Sequence, residues 1–165
     1  MQQQQQQDGV RRPWGMLEPR NLCPRIFPDF VFELYDSVYR IGSDRENDLM
    51  LVEDTRVCRY HGFIFLHRDD SGTTMWYYDH SISGTLVNSY RVHSRWYNLL
   101  YGDYIHIGWT AGEDSSKYTT LRIFGPYPLP QHPRAVRLRQ PNIDIQMSPP
   151  LFALYMKELE NENRK

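Results

Sequence analysis

From Trp14 to Phe124 the chain never keeps an apolar stripe long enough for a packed helix; turn-forming residues interrupt it every few positions. Residues 30–35, 37–41, 48–52, 61–67, 74–78, 84–88, 104–107 and 117–124 form short runs rich in aromatic and β-branched side chains. Runs of this length and composition are strands. Several alternate: Tyr39 with Ile41, and Ile105 with Ile107, put apolar groups on one face of an extended backbone. The interruptions carry their own mechanism. Asp69-Asp70-Ser71-Gly72 offers side-chain capping and a residue that tolerates positive φ, and Leu100-Tyr101-Gly102-Asp103 reads the same way. Roughly ten short strands divided by turns predict an all-β sandwich.

Composition bounds the function. The 165 residues are 40% hydrophobic and 24% charged, enough for one domain with tails but not for a protein kinase or a barrel enzyme. Nineteen Lys and Arg against twenty Asp and Glu leave a formal charge of −1, so no global field favours nucleic acid or an anionic membrane. No apolar stretch approaches the ~20 residues of a membrane helix. Cys23 and Cys58 make neither a disulfide framework nor a four-ligand zinc site, which fits a reducing compartment. The opening Met1 and six glutamines lack the apolar segment of a secretion signal. The expectation is a soluble protein, nuclear or otherwise cytoplasmic.

Four regions follow. Residues 1–13 are a Gln-rich tail that cannot bury apolar area and is expected to be disordered. Residues 14–125 hold the sandwich. Residues 126–148 are a linker rich in Pro and Arg, including Arg134, Arg137 and Arg139. Residues 149–165 read as a short C-terminal helix or tail, with Ser148 as its cap and Pro149 in its first position. Helical spacing puts Leu151, Phe152, Tyr155 and Leu159 on one face. A helix this short is marginal alone; the expectation is that it docks on the sandwich or frays, the alternative that it binds a partner.

Four motifs occur in a fixed order: Tyr39-Arg40-Ile41-Gly42-Ser43-Asp44-Arg45-Glu46-Asn47-Asp48-Leu49, then Arg56-Val57-Cys58-Arg59-Tyr60-His61, then Asp79-His80-Ser81-Ile82-Ser83-Gly84-Thr85-Leu86-Val87-Asn88, then Leu99-Leu100-Tyr101-Gly102-Asp103-Tyr104-Ile105-His106-Ile107-Gly108. Together they resemble a forkhead-associated (FHA) domain. Trp14-Gly15-Met16-Leu17 also resembles the first strand of the FHA domains of checkpoint kinases, although no kinase domain accompanies it. The resemblance implies a twisted β-sandwich of about eleven strands, without enzymatic activity or a cofactor, that reads phosphothreonine in partner proteins with the loops at one end. It further implies a setting in nuclear signalling, in a DNA-damage or meiotic checkpoint. It assigns architectural roles: Gly42 turns the backbone sharply, His61 ties neighbouring loops, Asp79 and Ser81 cap a turn completed by Gly84, and Thr85 and Asn88 hold the next hairpin.

The chain departs from this family at the phosphate grip. Ser43 stands where an arginine is usual, Cys58 where a serine is usual and Ser83 where an asparagine is usual. A guanidinium makes bidentate, charge-assisted bonds to phosphate worth roughly 1.5–3 kcal/mol each, so its loss would weaken binding by about one to two powers of ten. A thiol is a weaker donor than a hydroxyl. Arg59, Arg45 and Arg56 are candidate replacements. Two readings follow: a weakened phosphothreonine reader using Ser43, Arg45, Arg56, Cys58, Arg59 and Ser83, or a degenerate domain that binds protein without phosphate.

Other chemistries fit less well. His67-Arg68-Asp69 imitates a kinase catalytic loop without its companions. Cys58 and His61 suggest a nucleophile and base, but no orienting acid accompanies them; Cys58 among arginines is a candidate for a lowered thiol pKa. His80, His93 and His106 are too scattered for a metal site. The linker arginines suggest nucleic acid only weakly against the neutral charge.

Overall fold

A computed structural model describes residues 11–20, 26–27, 31–51, 56–70, 72–110, 112 and 118–127. Among them are twelve strands: β1 (Gly15–Pro19), β2 (Ile26–Phe27), β3 (Phe32–Leu34), β4 (Val38–Gly42), β5 (Leu49–Leu51), β6 (Gly62–Asp69), β7 (Gly72–Asp79), β8 (Thr85–Val87), β9 (Tyr90–Val92), β10 (Trp96–Leu99), β11 (Tyr104–Ile107) and β12 (Thr119–Phe124). They form two six-stranded sheets, ordered β3-β1-β12-β11-β8-β9 and β10-β7-β6-β4-β5-β2. The pairings are antiparallel except β4 with β5. The all-β expectation holds. β2, β9 and β10 lie outside the runs picked from the sequence. β9 sits at the edge of its sheet with Tyr90 and Arg91 exposed and only Val92 buried, so no apolar run marks it. The expected C-terminal helix, residues 128–148 of the linker and residues 1–10 lie outside the described residues.

Alternation builds the core. From β4 come Tyr39 and Ile41, from β6 Ile64 and Leu66, from β7 Met75 and Tyr77; they meet Leu17, Ile105, Ile107, Leu121 and Ile123 of the opposite sheet. Burying each such side chain contributes about 1.5–3 kcal/mol. The odd partners of the same strands, Phe63, Phe65 and Trp76, face away from this core and join Trp96 and Tyr60 in a second cluster.

Turns close where the sequence marks them. Gly72, with φ of 133°, closes the β6–β7 hairpin opposite Asp69. Arg68 and the preceding His67 are simply hairpin residues of β6, paired with Thr73 and Thr74. Asn88 adopts φ of 53° after β8. Its Nδ2 donates to Asp103 Oδ1 at 2.9 Å and its Oδ1 accepts from the Tyr104 amide at 3.0 Å, tying the β8–β9 turn to the start of β11.

Candidate functional site

The register aligns the end of β4 with the start of β6 and the end of β7, since Ile41 faces Gly62 and Gly62 faces Asp79. Three polar loops, 43–48, 56–61 and 80–84, therefore emerge at one end of the sandwich. Val57 and Tyr60 anchor the second loop in the two apolar clusters, and the loop backbone groups, which cannot be left unpaired where they are buried, bond from loop to loop.

The first two loops are laced through the backbone. Ser43 donates its amide to Cys58 O at 3.0 Å, Asp44 to Arg59 O at 3.2 Å, and His61 to Ile41 O at 2.8 Å. This approach requires Gly42: a Cβ there would stand 2.1 Å from Arg59 O. Asn47 completes the seam. It is buried, and its Nδ2 donates to Asp44 O at 2.8 Å and to Arg59 O at 2.6 Å. Sequence reasoning gave Asn47 no role; its place inside the first motif was the available signal.

Asp44 organises both partners. Its Oδ1 accepts from the Glu46 amide at 2.8 Å, an Asx-type turn within the loop. Its Oδ2 accepts from Arg59 Nε at 3.1 Å and from the terminal guanidinium nitrogen Nη2 at 2.6 Å. The Glu46 amide first, and the Arg59 guanidinium second, hold the Asp44 carboxyl below its usual range. The Arg59 side chain is 43% exposed and that of Asp44 13%, so the guanidinium still faces solvent while one acid holds it.

Cys58 links the second loop to the third. Its amide donates to His61 Nδ1 at 3.2 Å, and its Sγ accepts from the Ile82 amide at 3.5 Å. The imidazole thus engages Cys58 through the backbone amide rather than the thiol, and the carbonyl of His61 accepts from the His80 amide at 2.9 Å. The lowered thiol pKa expected from the nearby arginines is overturned. Burial pushes the Cys58 thiol above its ordinary value; the Ile82 amide opposes the shift and Asp79 adds to it. Desolvation disfavours the thiolate here.

The third loop is braced from beneath. Asp79 is fully buried. Its Oδ1 accepts from Ser81 Oγ at 2.6 Å and Thr85 Oγ1 at 2.8 Å, and its Oδ2 from the Ser94 amide at 2.9 Å. Ser81 Oγ in turn accepts from the Gly84 amide at 2.7 Å, where φ is 95°. Thr85 Oγ1 also meets the buried Tyr77 hydroxyl at 2.8 Å. Above this brace Ile82 is 75% exposed and Ser83 half-buried, with Ser83 O accepting from an Arg91 guanidinium nitrogen at 2.8 Å.

Of the residues singled out in the sequence, Gly42, Ser43, Cys58, Arg59, His61 and Gly84 sit on these laced loops. Arg45 is exposed in the first loop and Arg56 half-buried at the start of the second. Asn88 lies past the far end of β8. The loop end therefore offers partly exposed cations, chemistry suited to an anion, together with one carboxylate already seated on a guanidinium. No group of three His, Cys, Asp or Glu able to hold a metal occurs among the described residues.

Residues 39–108 match the family model of the FHA domain. No curated protein sequence gives a match. Solved FHA structures share the fold. The N-terminal FHA domain of Saccharomyces cerevisiae Rad53p, in complex with a phosphothreonine peptide, is 20% identical over 68% of this chain and 93% of that one, with a TM-score of 0.56. The MEK1 FHA domain is 16% identical over 74% and 98%, with a TM-score of 0.56. The FHA2 domain of Rad53, complexed with a phosphotyrosyl peptide derived from Rad9, is 18% identical over 88% and 98%, with a TM-score of 0.59.

Proposed function

We propose that this chain, in which residues 39–108 are an FHA domain, is a non-enzymatic module that binds phosphothreonine-containing segments of partner proteins. The observation that carries the reading is the lacing of loops 43–48, 56–61 and 80–84 around Cys58, which holds their outward groups at one end of a rigid sandwich. Loops already held in place lose less order when they take a dianionic phosphate. The Rad53 domains whose structures hold phosphothreonine and phosphotyrosyl peptides support the ligand class.

Binding is weak in this reading. Ser43 and Ser83 are shorter than the side chains usual there and Cys58 is a poorer donor, while Arg59 must leave or share Asp44. Arg59, Arg45 and Arg56 are the cations in the best positions to compensate. The setting we infer is nuclear signalling, in a DNA-damage or meiotic checkpoint.

The Arg59–Asp44 pair favours a second reading, in which the domain is degenerate and binds protein without phosphate. An NMR titration with a degenerate phosphothreonine peptide pool, beside its unphosphorylated twin, separates the two. Shifts at 43–47, 58–59 and 82–83 with the phosphorylated pool alone support the reader. Equal shifts with both pools overturn it in favour of the second reading, and so does the absence of shifts when partners captured by the chain survive phosphatase treatment.

A further inference from the structure

The third loop carries a cation of its own. Arg91 lies on β9, an edge strand, and is exposed, yet its side chain is held. Alternation turns Val92 into the core and Arg91 to the other face of the sheet. From there Arg91 crosses Gly84, where a Cβ would stand 3.0 Å from its Nε and 3.5 Å from its Cγ. Its Nη2 donates to Ser83 O at 2.8 Å. A guanidinium has more N–H donors than this bond uses, and among the described residues no carboxylate takes the others. Arg95 is positioned in the same manner. Its Nη1 donates to the Tyr90 hydroxyl at 3.1 Å, and Tyr90 stacks on Tyr97 with centroids 5.4 Å apart. The Arg95 carbonyl accepts from the Asp79 amide at 3.1 Å, at the foot of the same loop.

Both guanidinium groups therefore rest on neutral oxygens, which fix them in place without cancelling their charge. Arg59 differs, because Asp44 takes its Nε and its Nη2. The sequence around Arg91 offers no such acid: residues 80–99 contain neither Asp nor Glu. Asp79, which precedes them, is fully buried and accepts from Ser81, Thr85 and the Ser94 amide. The lacing of the loops sets where Arg91 stands relative to the phosphate candidates. Cys58 Sγ accepts from the Ile82 amide, Ile82 is 75% exposed, and Arg91 rests on the next carbonyl. A segment whose phosphate meets the second loop, and which continues over Ile82 and Ser83, arrives at Arg91. Extended chain advances about 3.3 Å per residue, so a side chain a few residues from the phosphothreonine reaches it.

We propose that Arg91 is a specificity-determining subsite that takes an acidic side chain, Asp or Glu, of the bound segment, with Arg95 adding positive charge at the foot of the loop. The inference rests on the phosphothreonine reading and adds the class of ligand: a segment with a carboxylate on the side of the phosphothreonine that crosses residues 80–84. A planar guanidinium takes a carboxylate through parallel, charge-assisted bonds. An arginine already held by Ser83 O and Gly84 loses less order in doing so.

The test titrates the full chain with a pair of degenerate phosphothreonine peptide pools, one with Asp and Glu at the positions flanking the phosphothreonine, the other with Asn and Gln there. Each pool has an unphosphorylated twin. The parent should prefer the acidic pool by about fivefold, the upper end of what an exposed ion pair supplies. Arg91→Gln should bind the acidic and amide pools equally while still preferring phosphorylated to unphosphorylated peptide. Arg91→Lys, which keeps the charge, should keep part of the preference for acid. Arg59→Ala should do the converse of Arg91→Gln, losing the phosphate preference and keeping the acid one. An acid preference that Arg91→Gln leaves intact overturns the subsite, and so does a parent that binds the acidic and amide pools alike or binds neither. An acid preference that depends on Arg91 but is the same with and without phosphate keeps the subsite and overturns the phosphothreonine reading instead.

Discussion

Arg59, the first of the cations proposed to meet a phosphate, is held by Asp44, whose Oδ2 lies 2.6 Å from its guanidinium. The same Asp44 oxygen pair caps its own loop through the Glu46 amide. One carboxylate thus does two things: it shapes the first loop and competes with any anionic ligand for the second. The guanidinium is the more exposed partner, 43% against 13% for Asp44, so a dianion can reach it and compete with the carboxylate.

Asp44→Asn should therefore raise affinity for a phosphothreonine peptide by about two- to fivefold, the factor that ~0.4–1 kcal/mol supplies. Arg59→Ala should lower it and erase the preference for the phosphorylated peptide. Isothermal titration of both variants against both peptides checks this. A fall in affinity for Asp44→Asn would mean that loop shape outweighs competition for Arg59.

The clamp has a pH signature. The Asp44 carboxyl titrates below its unfolded value of about 3.9. Its stabilising contribution is present above about pH 4 and is lost as pH falls through the folded value. Thermal melts of the parent and Asp44→Asn should differ at pH 7 and converge as the pH falls through the lowered value of the folded carboxyl.

Cys58 should be a slow nucleophile. Burial raises its thiol pKa, so at neutral pH iodoacetamide should label it more slowly than a free cysteine, with the rate climbing only in alkaline solution. Cys58→Ser keeps an acceptor for the Ile82 amide and adds a stronger donor at the loop junction. It should tighten phosphopeptide binding without lowering Tm.

Asp79 carries the third loop. Asp79→Ala would leave Ser81 Oγ, Thr85 Oγ1 and the Ser94 amide without their buried acceptor. A loss of about 3 kcal/mol is expected, or roughly 10 °C in Tm. The loop at 80–84 should broaden in NMR spectra before the core does.

Gly42→Ala tests the lacing directly. The new Cβ would fall 2.1 Å from Arg59 O, a backbone atom that cannot swing aside. The amide bonds from Ser43 to Cys58 O and from Asp44 to Arg59 O should open together. Faster hydrogen exchange at both amides would report it.

Much of this protein was legible in the sequence alone. Alternation at Tyr39 and Ile41 and at Ile105 and Ile107 marks strands because the side-chain period of an extended backbone is two. Gly72 and Gly102 mark turns because they accept positive φ. The ordered motifs locate the loops, and Ser43, Cys58 and Ser83 stand out against the residues usual in the family those motifs resemble. β9 and β10 were not legible, since both are edge strands: β9 exposes Tyr90 and Arg91, and β10 divides its apolar side chains between Trp96 on the outer face and Leu99 in the core. Nor could spacing reveal that Asp44 holds Arg59, fifteen positions away. That pairing, the thiol's raised pKa and the burial of the outer aromatic face depend on which loops and layers the fold brings within a few ångströms. Local patterning determines strand and turn because backbone geometry is set residue by residue. Charge competition and desolvation are set by neighbours distant in the chain, and only the tertiary structure chooses those.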